Sequence, residues 1–341
     1  MSGINGGNGG NGTSGRKGRG LAPPRPPRRT YWHLEGLRRK PTDYDIATSR
    51  LLYHPERGFA VAGSAADWYR RHQRGSPLTA GDWDQFRDPR ATTYTSYVDR
   101  QRTGEAFLDG LVRAADDGGA RGLPAPWLEV CERLVAPLRY PVHGLSMAAS
   151  YLGSMAPSGR IAVVALFQVG DELRRVQRLA FRLRQLQELR PGFGDDSRRR
   201  WERAPEWQPW REVIEHLLAT YDWGEAFAGL CLAIKPAFDE LFLGQLGRRA
   251  AADGDGVLAG FCFSLGEDAA WHREWAAALV RLAITDRADN RARLGGWIAR
   301  WQPRAAAAVA AIADALGDPR IAADVDAACR RYWSSLELEV P

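Results

Sequence analysis

The chain has 341 residues, 45% of them hydrophobic and 26% charged, enough apolar material for one large domain or two smaller ones. Its net charge of +6 comes wholly from the first 30 residues, which hold Arg16, Lys17, Arg19, Arg25, Arg28 and Arg29 and no acid, so the remainder is neutral and carries no nucleic-acid signature. The four cysteines lie far apart with no CxxC, which argues against zinc or a disulfide framework and fits a reducing cytosol; no uncharged apolar run reaches the roughly 18 residues of a membrane span, and the N-terminus lacks the apolar core of a signal peptide.

Residues 1–27 read as a disordered Gly/Asn/Pro/Arg leader, because GINGGNGGNGTSG has no apolar area to bury. Residues 28–60 read as an irregular, extended arm whose aromatic residues Tyr31, Trp32, Tyr44 and Tyr53 are candidate contacts with a partner. Residues 61–341 read as one helical domain. Its candidate helices are about 64–74, 92–116, 124–156 (broken near Pro137 and Pro141), 159–190, 197–219, 222–250, 256–284, 287–316 and 318–334. Gly118-Gly119, Pro157, Pro191-Gly192, Gly254, Pro303 and Gly317 punctuate them, and no alternating strand pair is found. The class is all-α, with helices long enough for a bundle.

Two stretches carry a degenerate chemical pattern. In QVGDELRRVQRLAFRL (168–183) the residues Val169, Glu172, Val176, Leu179 and Leu183 recur at helical spacing, which sets Glu172 in an apolar seam with Arg175 one turn on. A Glu-x-x-His pair at this spacing gives two metal ligands in di-iron bundles. Arginine in the histidine's place cannot ligate, since it stays protonated. In LGEDAAWHREW (265–275) His272 falls in a second seam, and the position three before it is Ala269. None of the six histidines has a glutamate three residues earlier, and no acid occurs between Arg133 and Gly170. The chain is therefore expected to hold no metal ligands and no catalytic residues. His272 alone reads as a hydrogen-bonded histidine, Glu212 and His216 as a solvated helix face, and Trp207, Trp210 and Trp223 as core or interface.

The stretches TYWHLEGLRRKPTDYDIATSRLLYH (30–54), DWYRRHQRGSPLTAGDWDQFRDPR (67–90), APLRYPVHGLSMAASYLGSMAPS (136–158), WERAPEWQPWRE (201–212) and YDWGEAFAGLCLAIKP (221–236) resemble the oxygenase (hydroxylase) β subunit of bacterial multicomponent di-iron monooxygenases, in the toluene and alkene monooxygenase branch. The resemblance covers about residues 30–315. It implies a ferritin-like (ribonucleotide-reductase-like) long-helix bundle with extra helices. It implies a non-catalytic subunit that packs on a catalytic α subunit and a small γ subunit as α2β2γ2. In such systems the di-iron centre lies in α, and electrons come from NADH through an FAD reductase and a 2Fe-2S Rieske ferredoxin, with a small effector protein. No cofactor, nucleic acid or membrane is expected for this chain itself, and the setting is cytoplasmic. Short-chain alkenes are the expected substrates, with aromatic rings as the alternative; a stand-alone di-iron oxidase and a helical binding module are more distant readings.

Laid on this chain, the family's two ligand pairs fall at Glu172/Arg175 and Ala269/His272. Its lone carboxylates fall at or near Lys235 and near Val142 or His143. These are vestigial positions, not ligands. Two readings stay open: Lys235, Arg175 or both neutralise Glu172 in the core, or Lys235 extends its amine to solvent beside Pro236.

Overall fold

The computed structural model describes residues 34, 39–49, 62–115 and 120–340. Tyr31, Trp32 and Tyr53, with the leader and most of the arm, lie outside the described residues. The chain divides into two compact units, Met1–Pro41 and Thr42–Pro341. Among the described residues the second unit holds every α-helix, and there is no strand.

The helix starts follow from side-chain caps. Thr42 and Asp45 form a capping box at α1 (Asp43–Thr48), within the segment read as an arm. A short helix α2 (Ser64–Tyr69) continues as a π-helical turn to Arg74. Thr93 caps the long α3 (Tyr94–Ala114). Then come α4 (Ala125–Val130), α5 (Arg139–Ser154) and the 31-residue α6 (Gly159–Leu189), whose N-cap Ser158 accepts the Arg160 N–H. Pro205 and Pro209 split the next expected helix into α7 (Ser197–Arg203) and α8 (Gln208–Leu218).

The expected helix 222–250 is continuous but not uniform. It comprises α9 (Trp223–Phe227), a π segment (Ala228–Ile234), α10 (Lys235–Asp239), a second π segment (Glu240–Gln245) and α11 (Leu246–Ala252). Gly254, at φ 84°, closes it with bonds from Asp255 N to Ala250 O and from Gly254 N to Ala251 O. Asp255 then caps α12 (Gly256–Asp286). The last two helices are α13 (Asp289–Leu316), which continues through Pro303, and α14 (Arg320–Ser335).

The short loops after α5 and α11 make two hairpins, α5–α6 and α11–α12. Contacts of α6 with α12, and of α5 and α12 with the π segment 228–234, join these hairpins into a bundle. Outside it, α3 lies on α12, α13 covers α8 and the 228–234 segment, and α14 covers α10 and α13. Trp207, Trp210 and Trp223 are fully buried; Trp207 stacks on Phe242 and Trp210 meets Phe238 edge-on.

Gly224 marks the tightest approach at the start of α9. A Cβ there would lie 2.6 Å from Leu78 Cβ and 2.9 Å from the Trp297 ring. Gly224→Ala is therefore expected to cost about 1–3 kcal/mol by overpacking, read as a lower urea midpoint at unchanged slope.

Candidate functional site

The bundle centre is ionic. Lys235 sits at the start of α10, directly after the π segment and before Pro236. Proline has no N–H, so the helix ladder loses a donor here. The Leu232 carbonyl one turn back accepts instead from the Trp333 indole N–H of α14, at 2.7 Å. With that defect closed, Lys235 points inward and is 3% exposed.

Its Nζ donates to Glu172 Oε1 of α6 and lies 3.0 Å from Asp239 Oδ2, one turn on. Arg175 Nη1 is 2.8 Å from Asp239 Oδ1 and 4.0 Å from Glu172 Oε2, and its guanidinium lies over the Phe238 ring. Two cations thus face two carboxylates, with none of the four more than 3% exposed. Burial opposes both charged forms. Even so, Lys235 and Arg175 hold the Asp239 carboxyl down at about 2, while Asp239 and Glu172 push the Lys235 pKa up. Of the two fates open to Lys235, the structure takes pairing in the core.

A second network adjoins the first. His272 Nε2 lies 2.9 Å from Asp171 Oδ2, and Asp171 Oδ1 accepts from Tyr97 Oη (2.9 Å) and Gln101 Nε2 (2.7 Å). Gln101 also donates to Asp268, which pairs with Arg174 at 2.6 Å; Arg174 and Arg178 both bind Glu105. The residues Tyr97, Gln101, Glu105 and Asp109 are four apart, so one stripe of α3 supplies partners to α6.

Burial, followed by the Lys235 charge, depresses the His272 imidazole to about 3; burial raises the Asp171 carboxyl to about 7. With the imidazole neutral and the carboxyl protonated between these two values, the Nε2–Oδ2 contact is a hydrogen bond between neutral groups and not an ion pair. A raised carboxyl stabilises the fold below its unfolded pKa of 3.8, and that stability is lost as pH rises toward 7. A depressed imidazole stabilises above 6.5, and that stability is lost as pH falls toward 3. Between about pH 4 and 6.5 the two slopes oppose and the pair is nearly silent. His272→Gln is expected to expose the Asp171 slope, with stability falling by about 1 kcal/mol per pH unit upward through this window. Asp171→Asn is expected to show the reverse slope. Urea unfolding at pH 4.5, 5.5 and 6.5 checks both; slopes of the same sign in the two variants would refute the pairing.

All five positions singled out from sequence meet here: Glu172, Arg175, Lys235, Ala269 and His272 line one space. The position expected near Val142 or His143 contributes nothing, since Val142 is fully buried without a donor and His143 is exposed on α5. Asp239 and the α3 stripe escaped the sequence reading. The four-residue repeat of Tyr97, Gln101, Glu105 and Asp109 was the available signal, although a polar stripe on a helix ordinarily faces water.

A di-iron centre does not fit these residues. An ammonium and a guanidinium take two of its positions and Ala269 offers no donor, which leaves His272 Nδ1, buried without a partner, as a lone nitrogen beside two cations. The free space between them is about 10 Å³, at the limit for a single water.

Tyr44, a candidate partner contact, is 5% exposed in this chain, and its hydroxyl accepts the Asp88 N–H at 2.9 Å. Asp88 also receives the Trp271 indole N–H. Tyr44 thus anchors α1 to its own body and offers little surface to another subunit. Glu212 and His216 lie 3.6 Å apart on an exposed face of α8. All four cysteines are buried and free, and burial raises their thiols out of the reactive range. Among the described residues no helix is long and apolar enough to cross a membrane.

The two-hairpin bundle and its carboxylate-bearing seam define a ferritin-like fold. The sequence profile described as Methane/Phenol/Alkene Hydroxylase matches residues 68–287. The toluene-4-monooxygenase hydroxylase component subunit beta of Ectopseudomonas mendocina is 34% identical over 291 residues, covering 82% of this chain and 88% of the relative. The propane 2-monooxygenase hydroxylase small subunit of Rhodococcus jostii (strain RHA1) is 26% identical over 337 residues, covering 92% and 90%. A solved structure of toluene 4-monooxygenase with bound toluene superposes with a TM-score of 0.79 at 31% identity, over 87% of this chain and 98% of that one. Phenol hydroxylase of Pseudomonas sp. OX1, at 20% identity, shares the fold with a TM-score of 0.82. The chain belongs to the methane/phenol/alkene hydroxylase family, and within it to the hydroxylase β subunits of multicomponent monooxygenases.

Proposed function

We propose that this chain is the non-catalytic structural β subunit of the oxygenase component of a soluble, NADH- and O2-dependent hydrocarbon monooxygenase. It holds a catalytic α subunit, which carries the di-iron centre, and assembles with it and a small γ subunit as α2β2γ2 in the cytoplasm. An FAD reductase and a 2Fe-2S Rieske ferredoxin deliver electrons, and an effector protein completes the system. The observation that carries the non-catalytic role is the Lys235 ammonium between Glu172 and Asp239, a protein cation at a position where a catalytic relative needs a metal ligand. Among substrates, aromatic rings now rank ahead of short alkenes, because the 34%-identical relative is named for toluene.

Co-expression with its α and γ partners tests the role. The three chains are expected to co-purify, with all iron recovered in α. Stoichiometric iron in the isolated chain, or an α subunit that assembles and turns over fully without it, would overturn the proposal.

A further inference from the structure

A pocket of about 140 Å³ opens between α10, α13 and α14. Ala233, Ala237, Ala305, Val309, Cys329 and Trp333 form its floor, none of them more than 5% exposed. Only Gln302 and Asp326 bring polar atoms to its mouth. There Asp326 is 2.7 Å from the Arg330 guanidinium and accepts from the Gln302 amide, so the mouth holds no uncompensated charge.

Interiors normally pack without such a void, and the alanines on all three helices would allow closer approach. Trp333 prevents it. Its indole is fixed by the hydrogen bond to the Leu232 carbonyl, so the ring acts as a spacer between α14 and the 228–234 segment and cannot swing into the space. The volume is close to the ~150 Å³ at which a dry apolar cavity takes up benzene or xenon. No ionised group faces the floor, which excludes a charged or strongly hydrogen-bonding ligand.

We propose that this pocket is a binding site, within the β subunit itself, for one small uncharged apolar molecule about the size of a single aromatic ring. Ala233 and Ala237 lie two residues either side of Lys235, so the site shares a helix with the ionic cluster while facing away from it. The proposal stands on volume and lining, independently of the role proposed above.

Titration of the full chain with fluorobenzene, followed by 19F NMR, tests it. Saturable broadening is expected for the wild type, with affinity reduced at least about tenfold in Ala305→Phe, which fills the floor, and in Ala322→Leu, which fills the mouth. In the assembled hydroxylase, introducing Ala305→Phe is expected to remove one binding equivalent per β subunit. No saturable binding by the wild type overturns the proposal, as does wild-type affinity in both filled variants. An unchanged count in the complex also overturns it, by showing that a partner's side chain occupies the space.

Discussion

Lys235→Met is expected to destabilise the folded chain by about 3–5 kcal/mol, and adding Glu172→Gln is expected to return most of that loss. The asymmetry follows from the dry setting of the cluster. A buried ion pair as a whole adds little net stability, because desolvation offsets the attraction between its charges. Removing one member leaves the other charged and without water, and that is the large term. In the quartet, loss of Lys235 leaves Glu172 and Asp239 facing Arg175 alone. Neutralising Glu172 restores the balance of one cation to one anion. Denaturant unfolding of the two single variants and the double measures the coupling directly. Additive losses would show that Lys235 and Glu172 do not compensate each other.

Asp255→Ala should cost at least about 4 kcal/mol, enough to bring a domain of ordinary stability close to unfolding. One carboxylate meets three requirements at once. It accepts the Leu258 N–H as the cap of α12 (2.9 Å), accepts the Trp127 indole N–H (3.1 Å), and pairs with Arg182 at 2.8 Å. Asp255 and Arg182 are both fully buried. Asp255→Asn retains an acceptor and the shape of the side chain but not the charge, so about half the loss is expected. Unfolding midpoints decide it: an alanine variant within about 1 kcal/mol of the wild type would rule out the pair as a structural tie.

The long helices were legible because their seams repeat cleanly and because Pro157, Pro191-Gly192, Gly254 and Gly317 mark their limits; the caps Thr93, Ser158 and Asp255 are seen only in the structure. The π segments at 228–234 and 240–245 were not. The apolar run 228–234 is buried at every residue and has no period that betrays an added residue. In the site, Glu172, Arg175, Lys235 and His272 could be found because charge or imidazole inside an apolar seam is conspicuous. Asp239 looked like an ordinary acid at a helix end. The α3 stripe looked like solvent-facing polarity, and only the tertiary contact of α3 with α6 and α12 gives it buried cations to serve. Of the aromatic residues assigned to an arm, Tyr44 proved to anchor its own chain, since a hydroxyl within reach of Asp88 cannot be read from local sequence.

The indole of Trp333 on the Leu232 carbonyl has a consequence in time. Synthesis runs from the N-terminus, and domains begin to fold as they emerge. Helix α14 is made after every element that it closes, so the Leu232 carbonyl freed by Pro236 must wait for its donor until Trp333 arrives. Closure of that gap in the helix ladder is therefore a late event in the birth of the molecule.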